Sequence, residues 1–292
     1  MKRITIFLLG TLTLASMATA QRNDGWPEST GNMKSLYARL GGIHKISQFI
    51  SDAVDMEHKD SMLMANKNIA MACTDVTKPA IKFMLTGYIA SKTGGPQKYG
   101  GPDIAAISKG FQMTKAEMTR AWTIRMDAMA KAGVPMDAQK ELRTWFDAQV
   151  MKAKPMMAPT SEPFMNKDSL YARLGGVVPI ALVVDEFING LATDPVIGSN
   201  PHTVKALTSG RVSGAGLKYL VTEQLGEAAG GPWKYSGRTM ASSHKGLMIA
   251  ENEWAAAAKI LKGVLDKYSV PAREQGEIFA VISSTKGDIV GK

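Results

Sequence analysis

Ser169-Leu170-Tyr171-Ala172-Arg173-Leu174-Gly175-Gly176 repeats, letter for letter, the earlier stretch Ser35-Leu36-Tyr37-Ala38-Arg39-Leu40-Gly41-Gly42. Eight consecutive identities within one chain mark an internal repeat, so the sequence reads as two related halves. The match runs on: Gly94-Gly95-Pro96, Tyr99 and Gly101 return as Gly230-Gly231-Pro232, Tyr235 and Gly237, and Val134-Pro135 returns as Val270-Pro271. The shift between the halves is 134 residues at the first match and 136 at the later ones, which implies a two-residue insertion, expected in a loop. Between the halves, Lys152 to Lys167 carries Pro155, Pro159 and Pro163 among polar residues and methionines, the composition of a linker.

Within each half the apolar residues fall at helical spacing. Trp254, Ala258, Leu261 and Leu265 step by four, three and four, which lines one face of a helix, and Met118, Trp122, Met126 and Met129 do the same in the first half. No run alternates as a strand does. Glycines after each Ser-Leu-Tyr segment are natural helix terminators. The expected fold class is therefore all-α, in two helical units.

Length and composition agree with two cores: 292 residues at 45% hydrophobic content exceed the usual size of one. Cys73 is the only cysteine, which excludes an intrachain disulfide. The formal charge of +9 is scattered along the chain, with no basic run or aromatic-interleaved patch of the kind that nucleic-acid binders carry. Lys2 and Arg3 precede an apolar run from Ile4 to Leu14 and then small residues ending Ala18-Thr19-Ala20, the layout of a secretory signal. The run is too short for a membrane-spanning helix, which needs roughly 20 apolar residues. The expected organisation is a signal peptide over 1–20, a disordered lead-in over 21–33, a first domain over 34–151, a linker over 152–167 and a second domain over 168–292. The mature chain is expected to be exported, periplasmic or extracellular, with no transmembrane segment.

The second half joins its Ser-Leu-Tyr-x-x-Leu-Gly-Gly opening to Gly-Gly-Pro-x-x-Tyr-x-Gly-Arg-x-Met-x-x-x-His, from Gly230 to His244, and to a Val-Pro tail ending Thr285-Lys286-Gly287-Asp288-Ile289-Val290. In this order and spacing the motifs resemble the truncated haemoglobins of group I, over all of 169–290 and more weakly over 35–150. The resemblance implies two tandem two-over-two helical sandwiches, with haem b (iron protoporphyrin IX) in the second and His244 as its proximal iron ligand. A neutral imidazole is a good iron ligand, and the small Ala241, Ser242 and Ser243 beside it let a flat porphyrin approach. No Cys-x-x-Cys-His is present for covalent attachment. Tyr235, Arg238 and Met240 of the same motif are expected beside the cofactor, Arg238 as a cationic neighbour of a haem propionate.

In the first half Ser108 stands where His244 stands in the second, and Pro102 where Arg238 stands. A serine hydroxyl is not a normal axial ligand, and His44 and His58 lie outside the motif, so this half reads as a degenerate copy that has lost haem.

On the distal side the family places tyrosine and glutamine. Gapless counting puts Phe187, Ile188, Leu217 and Val221 there, an apolar wall that lacks a donor for a polar bound ligand. Tyr219 and His202 are the nearby polar residues able to enter, and Lys218 and Lys245 the candidates for propionate contact. The implied function is reversible binding of a diatomic gas (O2, NO or CO) for storage, delivery or sensing, with no catalytic residue. A haem oxidoreductase, either a nitric-oxide dioxygenase or peroxidase-like, is the enzymatic alternative and requires a redox partner. A haem-free structural or interaction module is the third reading. Met62, Met64, Met71 and Cys73 offer soft ligands for Cu(I), but methionine is also a common filler of helical cores.

Overall fold

The computed structural model describes residues 34–157 and 166–292. The signal peptide expected over 1–20, the lead-in over 21–33 and the middle of the linker lie outside the described residues. Among the described residues the regular elements are helices, and an isolated bridge pairs Ile249 with Val290. None of these helices is long and apolar enough to cross a membrane.

In the first half they run α1 (Leu36–Arg39), α2 (Gly42–Lys59), α3 (Ser61–Met64), α4 (Lys67–Ala72), α5 (Lys78–Lys92), α6 (Ile104–Gly110), α7 (Lys115–Lys131) and α8 (Met136–Lys152). In the second they run α9 (Leu170–Arg173), α10 (Val177–Thr193), α11 (Pro195–Gly198), α12 (Pro201–Thr208), α13 (Gly214–Ala228), α14 (Met240–His244), α15 (Glu251–Lys267), α16 (Ala272–Ser284) and α17 (Lys286–Ile289). Short polar residues set the starts. Asp60, Asn66, Asp103 and Thr114 cap α3, α4, α6 and α7, and Asp194, Asn200, Ser213 and Thr239 cap α11 to α14, each side-chain oxygen accepting an otherwise orphaned N–H of the first turn.

The same hydrogen bonds return in both halves at the shifts seen in the sequence. Tyr37 N donates to Thr93 O at 2.9 Å, and Tyr171 N to Ala229 O at 2.8 Å. Asn66 Nδ2 donates to Phe111 O at 3.1 Å, and Asn200 Nδ2 to Leu247 O at 3.0 Å. Gln139 Nε2 reaches Val134 O at 2.7 Å, and Gln275 Nε2 reaches Val270 O at 2.8 Å. The two inserted residues fall between Asn200 and Gly214, where α12 has eight residues against six in α4. The insertion therefore reaches a short helix as well as the loop behind it.

The centre of the molecule is made by both halves together. α2 packs on α5 and α13, and α10 packs on α13 and α5, while α7 lies on the outside of α2 and α15 on the outside of α10. The buried side chains of the two halves form one hydrophobic cluster. A small cavity in this interface is lined by residues that pair across it at the repeat shift, among them Lys82 with Lys218, Phe83 with Tyr219 and Thr86 with Thr222. The halves thus face each other about an approximate twofold axis, with the Phe83 and Tyr219 rings stacked at 5.0 Å. Close approach is local too: a Cβ on Gly216 would come within 2.0 Å of His44 Nδ1, and Ser213 N donates to that nitrogen at 3.3 Å.

The helix faces expected from spacing are largely as observed. Leu261 and Leu265 are buried on α15 with Trp254 and Ala258 half-buried, and Trp122 and Met129 are buried on α7 with Met126 half-buried. Met118 departs from this pattern and is exposed, in the first turn of α7.

Because Phe83 is buried where the two halves meet, Phe83→Ala is expected to lower unfolding stability by about 3–5 kcal/mol. Denaturant titration followed by tryptophan fluorescence checks this, with a single transition expected because the core is shared. An unchanged midpoint would show that the two halves do not depend on this contact.

Candidate functional site

The helix that carries the candidate ligand packs differently in the two halves. In the first half α6 lies directly against α8 and α5, and Ile104, Ala105, Ala106 and Ile107 are buried by that packing. Residues 153–157 then run across α6: Met156 N donates to Ala106 O at 3.0 Å, and Lys109 Nζ donates to the carbonyls of Met151 and Ala153 at 2.9 and 2.8 Å. In the second half the corresponding α14 has no buried residue, and its packing neighbour is α17 rather than α13 or α16. Nearby apolar side chains are left with little to cover them. Val204 and Leu207 on α12 are 41% and 42% exposed, and Met248 just beyond α14 is 57% exposed.

His244 stands at the C-terminal end of α14 and is half-buried. Its Nδ1 lies 2.8 Å from the carbonyl oxygen of Met240, one helical turn back. Nδ1–H is thereby the donor and Nε2 carries the free lone pair, the tautomer a metal-binding imidazole needs. Burial is the main cause that pulls the His244 pKa below its ordinary value of 6.5; the Met240 carbonyl opposes it and the Arg238 charge adds to it. The ring is therefore held neutral. α14 is only five residues long, so its position depends on its ends. Behind it, Leu247 O accepts from Asn200, Met248 N donates to Lys292 O at 2.7 Å, and Gly291 N donates to Ile249 O at 2.9 Å. Ahead of it, Tyr235 Oη donates to Arg238 O at 2.8 Å and Thr239 caps the helix.

Of the side chains expected around the cofactor, Tyr235 and Met240 are half-buried on the segment that leads through Arg238 to His244. Leu217 and Val221 share α13 and are half-buried; Phe187 and Ile188 share α10, half-buried and buried respectively. Tyr219, considered as a distal polar group, points the other way. It is buried against the first half, and its hydroxyl donates to Glu223 Oε1 at 2.9 Å. Burial, with the Glu223 charge beside it, pushes its pKa well above the usual value. Lys218 likewise faces the interface and pairs with Asp185 at 2.8 Å, which takes it out of reach of a propionate on the α14 side. The geometry follows from helical rotation: on α13, positions 219 and 223 share one face while 217 and 221 lie off it. His202 is exposed on α12, and Lys245 is exposed just after His244. Met62 and Met71, from the soft-ligand cluster, are largely exposed, and Cys73 Sγ lies 3.8 Å from His58 Nδ1. Among the described residues no three or more His, Cys, Asp or Glu side chains gather to hold a metal ion.

The interface also holds a buried carboxylate that the sequence reading passed over. Glu223 accepts from Tyr219 Oη, Ser236 N and Ser236 Oγ, the last two at 2.6 Å. Its pKa is raised because burial outweighs these bonds. Nothing in a single helical pattern distinguishes a solvated glutamate from this one; only the facing half does.

A family model described as bacterial-like globin matches residues 169–290. Over these residues the chain is similar to the globins. Among similar proteins, a group 1 truncated hemoglobin of Nostoc sp. is 29% identical over 124 residues, 42% of this chain and 98% of that protein. A group 1 truncated hemoglobin of Chlamydomonas moewusii is 27% identical over 165 residues, 51% of this chain and 90% of that protein. The all-α architecture agrees with the family, and a globin implies haem as cofactor and a diatomic gas as ligand. The residues fit that cofactor: a neutral histidine with its other nitrogen anchored, beside uncovered apolar side chains, on a helix that stands off from α13 and α16.

Since iron competes with a proton for Nε2 and burial lowers the His244 pKa, hemin affinity is expected to hold from about pH 8 to 7 and to begin falling at a lower pH than it would for an imidazole of ordinary pKa. Hemin titrations across this range, read by absorption, check the sign. An affinity that is already falling between pH 8 and 7 would contradict a depressed imidazole.

Proposed function

We propose that this protein binds a diatomic gas reversibly through one b-type haem in its C-terminal half, with His244 as the axial ligand. The observation that carries the reading is the His244 ring, bonded through Nδ1 to Met240 O with Nε2 left to take a metal, on a short helix with no buried residue. When bound, the haem supplies an open coordination position for the gas. The chain's residues supply the rest: His244 holds the iron, Phe187, Ile188, Leu217 and Val221 offer an apolar distal wall, and Tyr235, Arg238 and Met240 line the approach to the proximal helix. An apolar wall without a hydrogen-bond donor favours simple gas binding over haem oxidoreductase chemistry with a redox partner.

The first half is proposed as a degenerate globin-like copy that holds no haem. The matching hydrogen bonds support the common origin, and Ser108 on a helix packed against α5 and α8 supports the loss. Export is proposed from the Lys2-Arg3 and Ile4-to-Leu14 pattern at the start of the chain.

Hemin titration of the full chain is expected to end at about one haem per chain, and His244→Ala to remove the haem absorption spectrum or weaken binding at least tenfold, since the axial bond is lost. Normal loading of that variant would refute the assignment. Ser108→His is expected to leave the stoichiometry at one, because a new ligand on α6 meets a closed core; a second haem would show that the first half retains a pocket.

A further inference from the structure

The first half grips the segment that leads into the His244 helix. At its start, Pro232 lies so close to the first half that a Cβ on Gly100 would come within 2.5 Å of the Pro232 carbonyl oxygen. Next, the buried Trp233 indole packs edge-on to Phe83 at 4.7 Å and near Tyr99 at 5.9 Å, both from the first half. Then Gln97, also of the first half, donates from Nε2 to Ser236 Oγ at 3.2 Å, and Ser236 in turn donates to Glu223. Gln97 is buried, and its amide oxygen has no partner. Its nitrogen also lies 3.5 Å from Tyr37 Oη of its own half, so the shorter bond, to Ser236, is the one that crosses between the halves.

We propose that Gln97, together with the Gly100 and Phe83 contacts, is a positioning residue for the haem site of the other half: it fixes the segment 232–236 and through it the placement of α14 and His244. The inference rests on the reading of His244 as the iron ligand. Its physical basis is the shortness of α14. A five-residue helix takes its position from its two anchors, of which the one behind belongs to the C-terminal half and the one ahead is shared: Trp233, Tyr235 and Ser236 bond Tyr171, Glu227 and Glu223 of their own half, and Gln97 adds a bond to Ser236 from across the interface. A displacement of about 1 Å at an axial ligand matters for a site that needs placement within roughly 0.5 Å. This gives the haem-free half a role that a mere spacer would not have.

The test uses the full chain with Gln97→Met, which keeps bulk and removes the donor. Gln139→Met serves as control, since Gln139 is also a buried glutamine of the first half but bonds only within it, to Val134 O. In hemin-free protein, hydrogen exchange of amides 234–244 is expected to speed up in Gln97→Met and not in Gln139→Met. In hemin-loaded protein, transfer to excess apomyoglobin is expected to be about tenfold faster in Gln97→Met alone, with a shifted iron–histidine band in the ferrous resonance Raman spectrum. Gly100→Val, which forces Pro232 away, is expected to act in the same direction. Unchanged exchange, or faster exchange with unchanged hemin loss, overturns the proposal, as does an equal effect of Gln139→Met. A wild-type chain that takes up no hemin overturns the haem reading itself, and the exchange data, taken without hemin, still decide whether the segment is gripped.

Discussion

Phe83 and Tyr219 stack at 5.0 Å where two helix pairs, α2 with α5 and α10 with α13, meet face to face, and the rest of the molecule is arranged around that burial. Each pair alone would leave an apolar face in water. Joined, they supply a single core in which each half covers the other. The contact also takes polar groups out of water. Tyr219 and Ser236 of the same half donate to Glu223, because a carboxylate buried without donors would be prohibitive, and Gln97 of the first half donates to Ser236 from across the interface.

The two halves then differ on their outer sides. In the first, α6 closes onto α5 and α8 and the chain at 153–157 seals it. In the second, α14 stands off, and a histidine takes the place of Ser108. One helix packs into the core and the other only against α17. The asymmetry is thus carried by a short segment, while the shared face stays nearly symmetric.

Much of this was legible in the residues. The octapeptide repeat, the helical spacing on α7 and α15 and the Gly230-to-His244 motif each depend on local patterns, and local patterns survive in a linear string. Tyr219 and Lys218 show the limit. Both stand within two positions of Leu217 or Val221, and counting along the chain brought all four near the same pocket. Helical rotation separates them, and only the presence of the first half makes the Tyr219 side an interior face. Met118 shows a similar limit: its spacing is right, but it lies exposed in the first turn of α7.

What the sequence by itself determined was the helical class and the recurrence of identical segments, since these follow from periodicity and identity at neighbouring positions; it also supplied the expectation that His244 holds iron. What only the tertiary structure decided was that the halves share one core, that Glu223 and Gln97 are interior groups, and that Gln97 of the first half bonds Ser236 on the segment leading to His244. Those facts depend on which faces meet in space, between residues such as Gln97 and Ser236 that lie 139 positions apart, and no local pattern encodes such a pairing.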